Sequence, residues 1–274
     1  MTDQYAVIGN PIAHSKSPAI HAAFARQTGQ QIEYGRILGG LDDFAGDVRR
    51  FVTAGGRGLN VTVPFKEQAW DLLADRSARA ERAGAVNTII VSDGGLLRGD
   101  NTDGVGLVRD LIENQGYDLV GKRVLLLGAG GAARGVVDPL IESDVGALVI
   151  ANRTATKSAE LAQLAAHDRV IGRGLDALAG QQFDLIINAT SIGLAGSIPL
   201  FPEDCLAQGG WTYDMLYADD PTPFCRWAIA HGAARALDGL GMLVEQAAES
   251  FALWRGTRPD TRPVIELLRG GGTR

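Results

Sequence analysis

The chain has 274 residues, enough for two domains with separate apolar cores, and its 46% hydrophobic and 21% charged content excludes a disordered or fibrous protein. With 26 Lys and Arg against 32 Asp and Glu, the net charge of -6 repels nucleic acid and anionic membrane unless a basic patch intervenes, and none is present. Two cysteines, Cys205 and Cys225, are too few for a disulfide framework or a zinc motif, and no run reaches the roughly 18–20 apolar residues of a membrane span.

Free thiols, and a first stretch without the pattern of a signal peptide, lead us to expect a cytoplasmic protein. The histidines His14, His21, His167 and His231 have no ligand spacing, so no metal is expected and they read as surface or capping residues. The basic stretch Arg76–Arg82, interleaved with Glu81, reads as a solvated helix face.

In chain order, Tyr5–Ile8 reads as a strand, and Ala19–Gln27 as a helix with Ser17 as N-cap, Pro18 near its start and Gly29 as its stop. Ile32–Leu38 is expected as a strand, Asp42–Thr53 as a helix closed by Gly55 and Gly56, and Leu59–Val63 as a strand ended by Pro64. A helix then begins near Phe65, and Asp93-Gly94-Gly95 separates two β-rich runs as a hairpin turn. A second βαβ series starts near residue 104, with a helix over Val105–Asn114 and strands at Arg123–Leu127, Ala147–Ala151, Phe183–Asn188 and Thr212–Leu216. Leu240–Trp254 carries Leu243, Ala247, Phe251 and Trp254 at helical spacing, the mark of a core helix, and Gly270-Gly271-Gly272 reads as a frayed tail.

The strand Val124–Leu127 runs straight into Gly128-Ala129-Gly130-Gly131-Ala132-Ala133, a GxGxxA pattern followed by a helix. Gly128 permits the tight turn, Gly130 admits a pyrophosphate, Ala133 allows close helix–strand packing, and the helix N-terminus supplies N–H donors. The next strand ends Asn152-Arg153-Thr154, with Lys157 following, where an NAD site would place a carboxylate on the ribose. A guanidinium pairs instead with a 2'-phosphate, so the expected cofactor is NADP.

Polar residues also gather where strands of the first half end, in Asn10–Pro18 (NPIAHSKSP), Leu59–Lys66 (LNVTVPFK), Gly84–Thr88 (GAVNT) and Gly99–Asp103 (GDNTD). Open parallel sheets bind ligands at such ends. Spacing alone leaves open whether Lys66, Asn87 and Asp103 converge.

With HSKSP, NVTVPFK, GAVNT, GDNTDG, GAGGAA, ANRT, NATSIG and LDGLGMLVEQA in this order, the chain resembles the shikimate dehydrogenase family over nearly its whole length. The resemblance implies a two-domain α/β protein, with a mostly parallel N-terminal substrate domain (1–103 and 241–274) and a Rossmann-type NADP domain (104–240). The C-terminal helix returns to the substrate domain. It implies reversible reduction of 3-dehydroshikimate to shikimate, with Lys66 and Asp103 as the catalytic pair. Ser15 and Ser17 are implied as carboxylate binders, and Asn60, Thr62, Asn87, Tyr217 and Gln246 as the rest of the substrate pocket. Gly128, Ala129, Gly130, Gly131, Ala132, Asn152, Arg153, Thr154, Lys157, Met215 and Gly239 are implied as NADP contacts. Ala78 departs from relatives that carry an acidic cofactor contact there. A monomer or homodimer is expected, with no nucleic-acid or membrane partner. A quinate/shikimate dehydrogenase using NAD, and a binder that has lost the chemistry, are the competing readings.

Overall fold

The computed structural model describes residues 2–270, so Gly271 and Gly272 of the expected tail lie outside the described residues. The elements are β1 (Asp3–Gly9), α1 (Ser17–Thr28), β2 (Ile32–Leu38), α2 (Phe44–Thr53), β3 (Gly56–Val61), α3 (Lys66–Leu72), β4 (Asp75–Arg76), α4 (Ala78–Ala83), β5 (Thr88–Val91) and β6 (Leu97–Asp100). Then come α5 (Asp103–Arg109), β7 (Arg123–Leu127), α6 (Gly131–Glu142), β8 (Ala147–Asn152), α7 (Ala155–Ala165), β9 (Val170–Gly174), β10 (Phe183–Asn188), β11 (Leu206–Asp214), α8 (Pro223–Ala230), β12 (Arg235–Leu237), α9 (Leu240–Arg255) and α10 (Arg262–Gly270).

The chain divides into two compact units, one running to Gly106 and resuming at Leu243, the other spanning Leu107–Met242. Both crossings fall inside helices, α5 and α9, rather than in loops. α5 continues without a break into a π-helical turn over Asp110–Asn114, closed by the amide of Gln115 on the Asp110 carbonyl at 3.0 Å.

The first unit is built on a six-stranded sheet of order β2-β1-β3-β5-β6-β4. β2, β1 and β3 are mutually parallel, while β5 runs antiparallel to both β3 and β6. β3 starts at Gly56, earlier than the expected Leu59; the Phe51 ring lies 2.1 Å from where a Cβ on Gly56 would stand, so a side chain there would force that ring to move. The hairpin turn is the expected one: Gly95 takes φ 75° and the Leu96 amide donates to Ser92 Oγ at 3.0 Å. At α1 the N-cap is Lys16 rather than Ser17, and Ser17 is instead the first helical residue.

One apolar cluster joins Ile8, Leu59, Val61 and Ile89 to Phe44 and Phe65, whose rings stack at 4.9 Å. A second joins Ile20 and Phe24 of α1 to Val244, Ala247 and Phe251 of α9 and to Val264 and Ile265 of α10. Fully burying each such side chain is worth about 1.5–3 kcal/mol. The C-terminal helices are therefore part of this core and not an appendage.

Two expectations are corrected here. Arg76–Arg82 is not a solvated face: Arg79 Nε donates to the buried Asp100 at 2.6 Å and Nη1 to Glu249 at 3.1 Å, while Arg76 lies over the Trp70 ring at 4.1 Å. His21 is neither a surface nor a capping residue; it is fully buried and stacks on Tyr34 at 4.1 Å.

The second unit holds a six-stranded sheet of order β12-β11-β10-β7-β8-β9, parallel throughout. Counted within the unit the order is 6-5-4-1-2-3, the doubly wound arrangement, with its topological switch point between β7 and β10. β7 reads as a continuous apolar run because Val124, Leu125, Leu126 and Leu127 are all wholly buried, as a central parallel strand requires. The short edge strands β9 and β12 carry too little pattern to be anticipated.

Candidate active site

Lys66 opens α3 directly after the loop that leaves β3, and Asp103 opens α5 directly after the loop that leaves β6. Lys66 Nζ donates to Asp103 Oδ2 at 2.6 Å, with side-chain exposures of 13% and 6%. The other Asp103 oxygen accepts from Asn87 Nδ2 at 2.8 Å, and the Asp103 amide donates to Asn101 Oδ1 at 3.1 Å. Lys66, Asn87 and Asp103, whose convergence spacing left open, do meet.

An ammonium has three donors, and among the described residues Asp103 is the single acceptor for that of Lys66. The remaining N–H groups are available to an incoming oxygen. Asp103 fixes where that ammonium stands, and Asn87 in turn fixes the carboxylate.

Behind this pair lies a closed polar network. Asn87 Oδ1 accepts from the Thr102 amide at 2.9 Å and from Thr88 Oγ1 at 2.8 Å. Ser250 Oγ, reaching in from α9, stands 2.8 Å from Thr88 Oγ1 and 3.2 Å from Thr102 Oγ1, and accepts from Asn60 Nδ2 at 2.9 Å. Asn60 Oδ1 accepts from Tyr34 Oη at 2.7 Å. Gln246, one turn before Ser250, donates its Nε2 to the Leu243 carbonyl at 2.8 Å, and its Oε1 lies 3.4 Å from Asn87 Nδ2. Buried networks satisfied in this way hold their members in one geometry.

The Ser15 loop borders the same unit. Ser15 Oγ donates to Ser17 Oγ at 3.1 Å, and the Ser17 amide donates to Ser15 Oγ at 3.3 Å, so two hydroxyls stand side by side. Thr62 is held by its amide on the Ile8 carbonyl at 2.9 Å. His14 is exposed. Eight of the nine expected substrate residues thus belong to the first unit; Tyr217 lies in the second, half-buried on the loop after β11.

In the second unit, Gly128 takes φ 111°, and a Cβ there would stand 3.2 Å from the Ala189 backbone, so the turn out of β7 requires glycine. Gly130 caps α6 with no side-chain hydrogen bond, and a Cβ on it would meet nothing within 4 Å. A helix N-terminus with bare N–H groups over open space suits a diphosphate. Asn152 ends β8 and donates its Nδ2 to the Thr154 carbonyl at 3.0 Å, while Arg153, Thr154 and Lys157 are exposed. Neither Arg153 nor Lys157 forms an ion pair among the described residues, so both charges are open to an incoming anion. Met215 donates its amide to the Asn188 carbonyl at 2.9 Å, and a Cβ on Gly239 would lie 2.4 Å from the Met215 carbonyl oxygen. Gly239 is therefore glycine because this backbone leaves no room for more. These residues fit NADP.

Sequence reasoning missed Tyr34, Thr88, Thr102 and Ser250. Thr88 and Thr102 stand inside the quoted motifs and were within reach; Tyr34 and Ser250 lie in ordinary strand and helix patterns, and only the fold brings them in. Among the described residues no group of three His, Cys, Asp or Glu could hold a metal, both cysteines are free and buried, and no helix is long and apolar enough to cross a membrane.

Three family models match the chain: the shikimate dehydrogenase substrate binding domain at residues 7–89, shikimate / quinate 5-dehydrogenase at 110–195, and the shikimate 5'-dehydrogenase C-terminal domain at 239–269. The chain is 59% identical to a shikimate dehydrogenase (NADP(+)) of Alkalilimnicola ehrlichii over 98% of its own length and 99% of the relative's. Its fold is similar to the crystal structure of an Ael1 enzyme from Pseudomonas putida, with a TM-score of 0.89, 48% identity, and coverage of 97% of this chain and 98% of that one. It is also similar to shikimate 5-dehydrogenase from Thermus thermophilus in complex with NADP(H) and shikimate, with a TM-score of 0.86, 34% identity, and coverage of 98% and 99%. By identity sustained over nearly its whole length, the chain belongs to the shikimate dehydrogenase family.

Proposed function

We propose that the chain is an NADP-dependent shikimate dehydrogenase that catalyses the reversible reduction of 3-dehydroshikimate to shikimate, with Lys66 and Asp103 as its catalytic pair. The observation that carries this reading is the Lys66 Nζ to Asp103 Oδ2 contact of 2.6 Å, backed by Asn87 on the second carboxylate oxygen.

NADP(H), when bound, would supply or accept the hydride at the substrate carbon. As negative charge grows on the carbonyl oxygen, an N–H of Lys66 donates a proton to it; in the oxidation direction the lysine nitrogen takes the proton back. Asp103 orients the ammonium and accepts from a neighbouring substrate hydroxyl. Ser15 and Ser17 receive the carboxylate, while Asn60, Thr62, Asn87, Tyr217 and Gln246 pair the remaining polar groups. A site that pairs hydroxyls in this way rejects analogues lacking them.

Residues 1–103 with 241–274 form the substrate domain and residues 104–240 the NADP domain. Gly128, Ala129, Gly130, Gly131 and Ala132 would take the diphosphate, Arg153, Thr154 and Lys157 the adenosine 2'-phosphate, and Asn152, Met215 and Gly239 would complete the NADP contacts. The protein works in the cytoplasm as a monomer or homodimer, without nucleic-acid or membrane partners, in keeping with its net charge of -6.

The test is reduced-nicotinamide absorbance with shikimate or quinate and with NADP or NAD. Turnover greatest with shikimate and NADP supports the reading; preference for quinate or NAD, or no turnover with any pair, overturns it.

A further inference from the structure

Edge strand β2 puts Tyr34 and Arg36 on the same face, two residues apart, paired in register with Tyr5 and Val7 of β1. Tyr34 reaches Asn60, as described. Arg36 reaches the serine loop: its Nε donates to the Ser15 carbonyl oxygen at 3.1 Å and its Nη2 donates to the same oxygen at 2.5 Å. Two of the five guanidinium donors are thus engaged, and no carboxylate pairs with Arg36 among the described residues.

The serine site is built from neutral hydroxyls. Lys66 is already paired with Asp103, so its charge is engaged before an anion arrives there, and Lys16 sits between the two serines. Arg36 is a permanent cation anchored to the backbone of the residue whose hydroxyl opens that site, with donors to spare.

We propose that Arg36 is a positioning and selectivity residue for the substrate carboxylate: it holds the Ser15 loop in place and supplies the positive field that makes the site prefer an anion. This rests on the reading that Ser15 and Ser17 receive the carboxylate. A lysine would keep the charge but not the two-pronged grip on one carbonyl.

The experiment compares shikimate with its neutral methyl ester, using NADP, in wild type, R36K and R36M. Removing the charge raises the shikimate KM roughly tenfold with little change in kcat, and the acid-over-ester ratio of kcat/KM falls by a similar factor. R36K retains most of that ratio while its KM for both compounds rises modestly. An arginine that merely propped the loop would impair acid and ester equally in R36M, and that result overturns the proposal. An R36M enzyme indistinguishable from wild type overturns it as well. Should R36M not fold, R36K decides: an acid-over-ester ratio that falls about tenfold from wild type although the charge is kept sinks the idea. Wild type inactive on shikimate overturns the underlying reading together with this one, whereas an active wild type whose ratio ignores position 36 overturns this one alone.

Discussion

The two units dispose their polar groups in opposite ways. In the first, the polar side chains find partners within the protein: Asn60, Asn87, Thr88, Thr102, Ser250 and Asp103 bond to one another, and Lys66 is held by Asp103. In the second, the helix N-terminus at Gly130 is uncapped, and Arg153 and Lys157 stand exposed without ion pairs among the described residues. A proton-transfer group gains from being fixed before substrate arrives, because misplacement costs rate. A phosphate cradle gains from keeping its donors free, since every internal bond would have to be broken on binding. The lesson is that satisfaction and exposure are themselves functional signals.

If that contrast is right, the largest effect comes from the fixed pair. Lys66→Met should lower kcat by roughly 10²–10⁴-fold while calorimetry still detects shikimate binding. Retention of near wild-type turnover would mean that the preformed pair is structural.

Next in size is the exposed cradle. Arg153→Glu should raise the NADP KM roughly 10–100-fold, leave kcat at saturation nearly unchanged, and shift preference toward NAD, because a charge-assisted pairing is replaced by a repulsion. The folding midpoint should not move, as Arg153 is exposed and forms no ion pair among the described residues. A loss of stability in this variant would blur the distinction between the units.

A third test concerns the buried support of the first unit. His21 is fully buried with neither ring nitrogen hydrogen-bonded, and burial pushes its imidazole down to about 3. Its folded value lies below its unfolded value of about 6.5, so the unfolded chain binds the extra proton between these limits. This contribution to stability is therefore full above about pH 6.5 and is progressively lost as the medium is acidified toward pH 3. Urea unfolding at pH 7 and pH 5 should show that loss in wild type and a flatter response in His21→Phe, whose ring can still stack on Tyr34.

The smallest effect is expected at Ser250. Ser250→Ala removes a hydroxyl shared by Asn60, Thr88 and Thr102 and should cost about 1–3 kcal/mol of stability, read as a lower denaturation midpoint. Activity should fall through the shikimate KM rather than that for NADP.

The cofactor unit was the more legible of the two because its signals are local. β7, the glycine turn and α6 follow one another in the chain, and the absence of a carboxylate after β8 is visible in four letters. The first unit's chemistry depends on partners 37 residues apart for Lys66 and Asp103 and 170 apart for Arg79 and Glu249. No local period encodes such meetings. On sequence alone Arg79 reads as solvated and His21 as superficial for the same reason: what buries them, Asp100 and Glu249 in one case and Tyr34, Phe251 and Trp254 in the other, comes from distant segments. The resemblance to a family supplied what periodicity could not.

The interrupted first unit also sets an order for synthesis on the ribosome. Its core needs Val244, Ala247, Phe251, Val264 and Ile265, which are translated after the entire second unit. Leu107–Met242 is contiguous and can reach its native contacts while the part of α9 beyond Met242 is still inside the exit tunnel. The nascent chain thus completes its second unit before its first, and Gln246 and Ser250 join the polar network around Asn87 as one of the last acts of biogenesis.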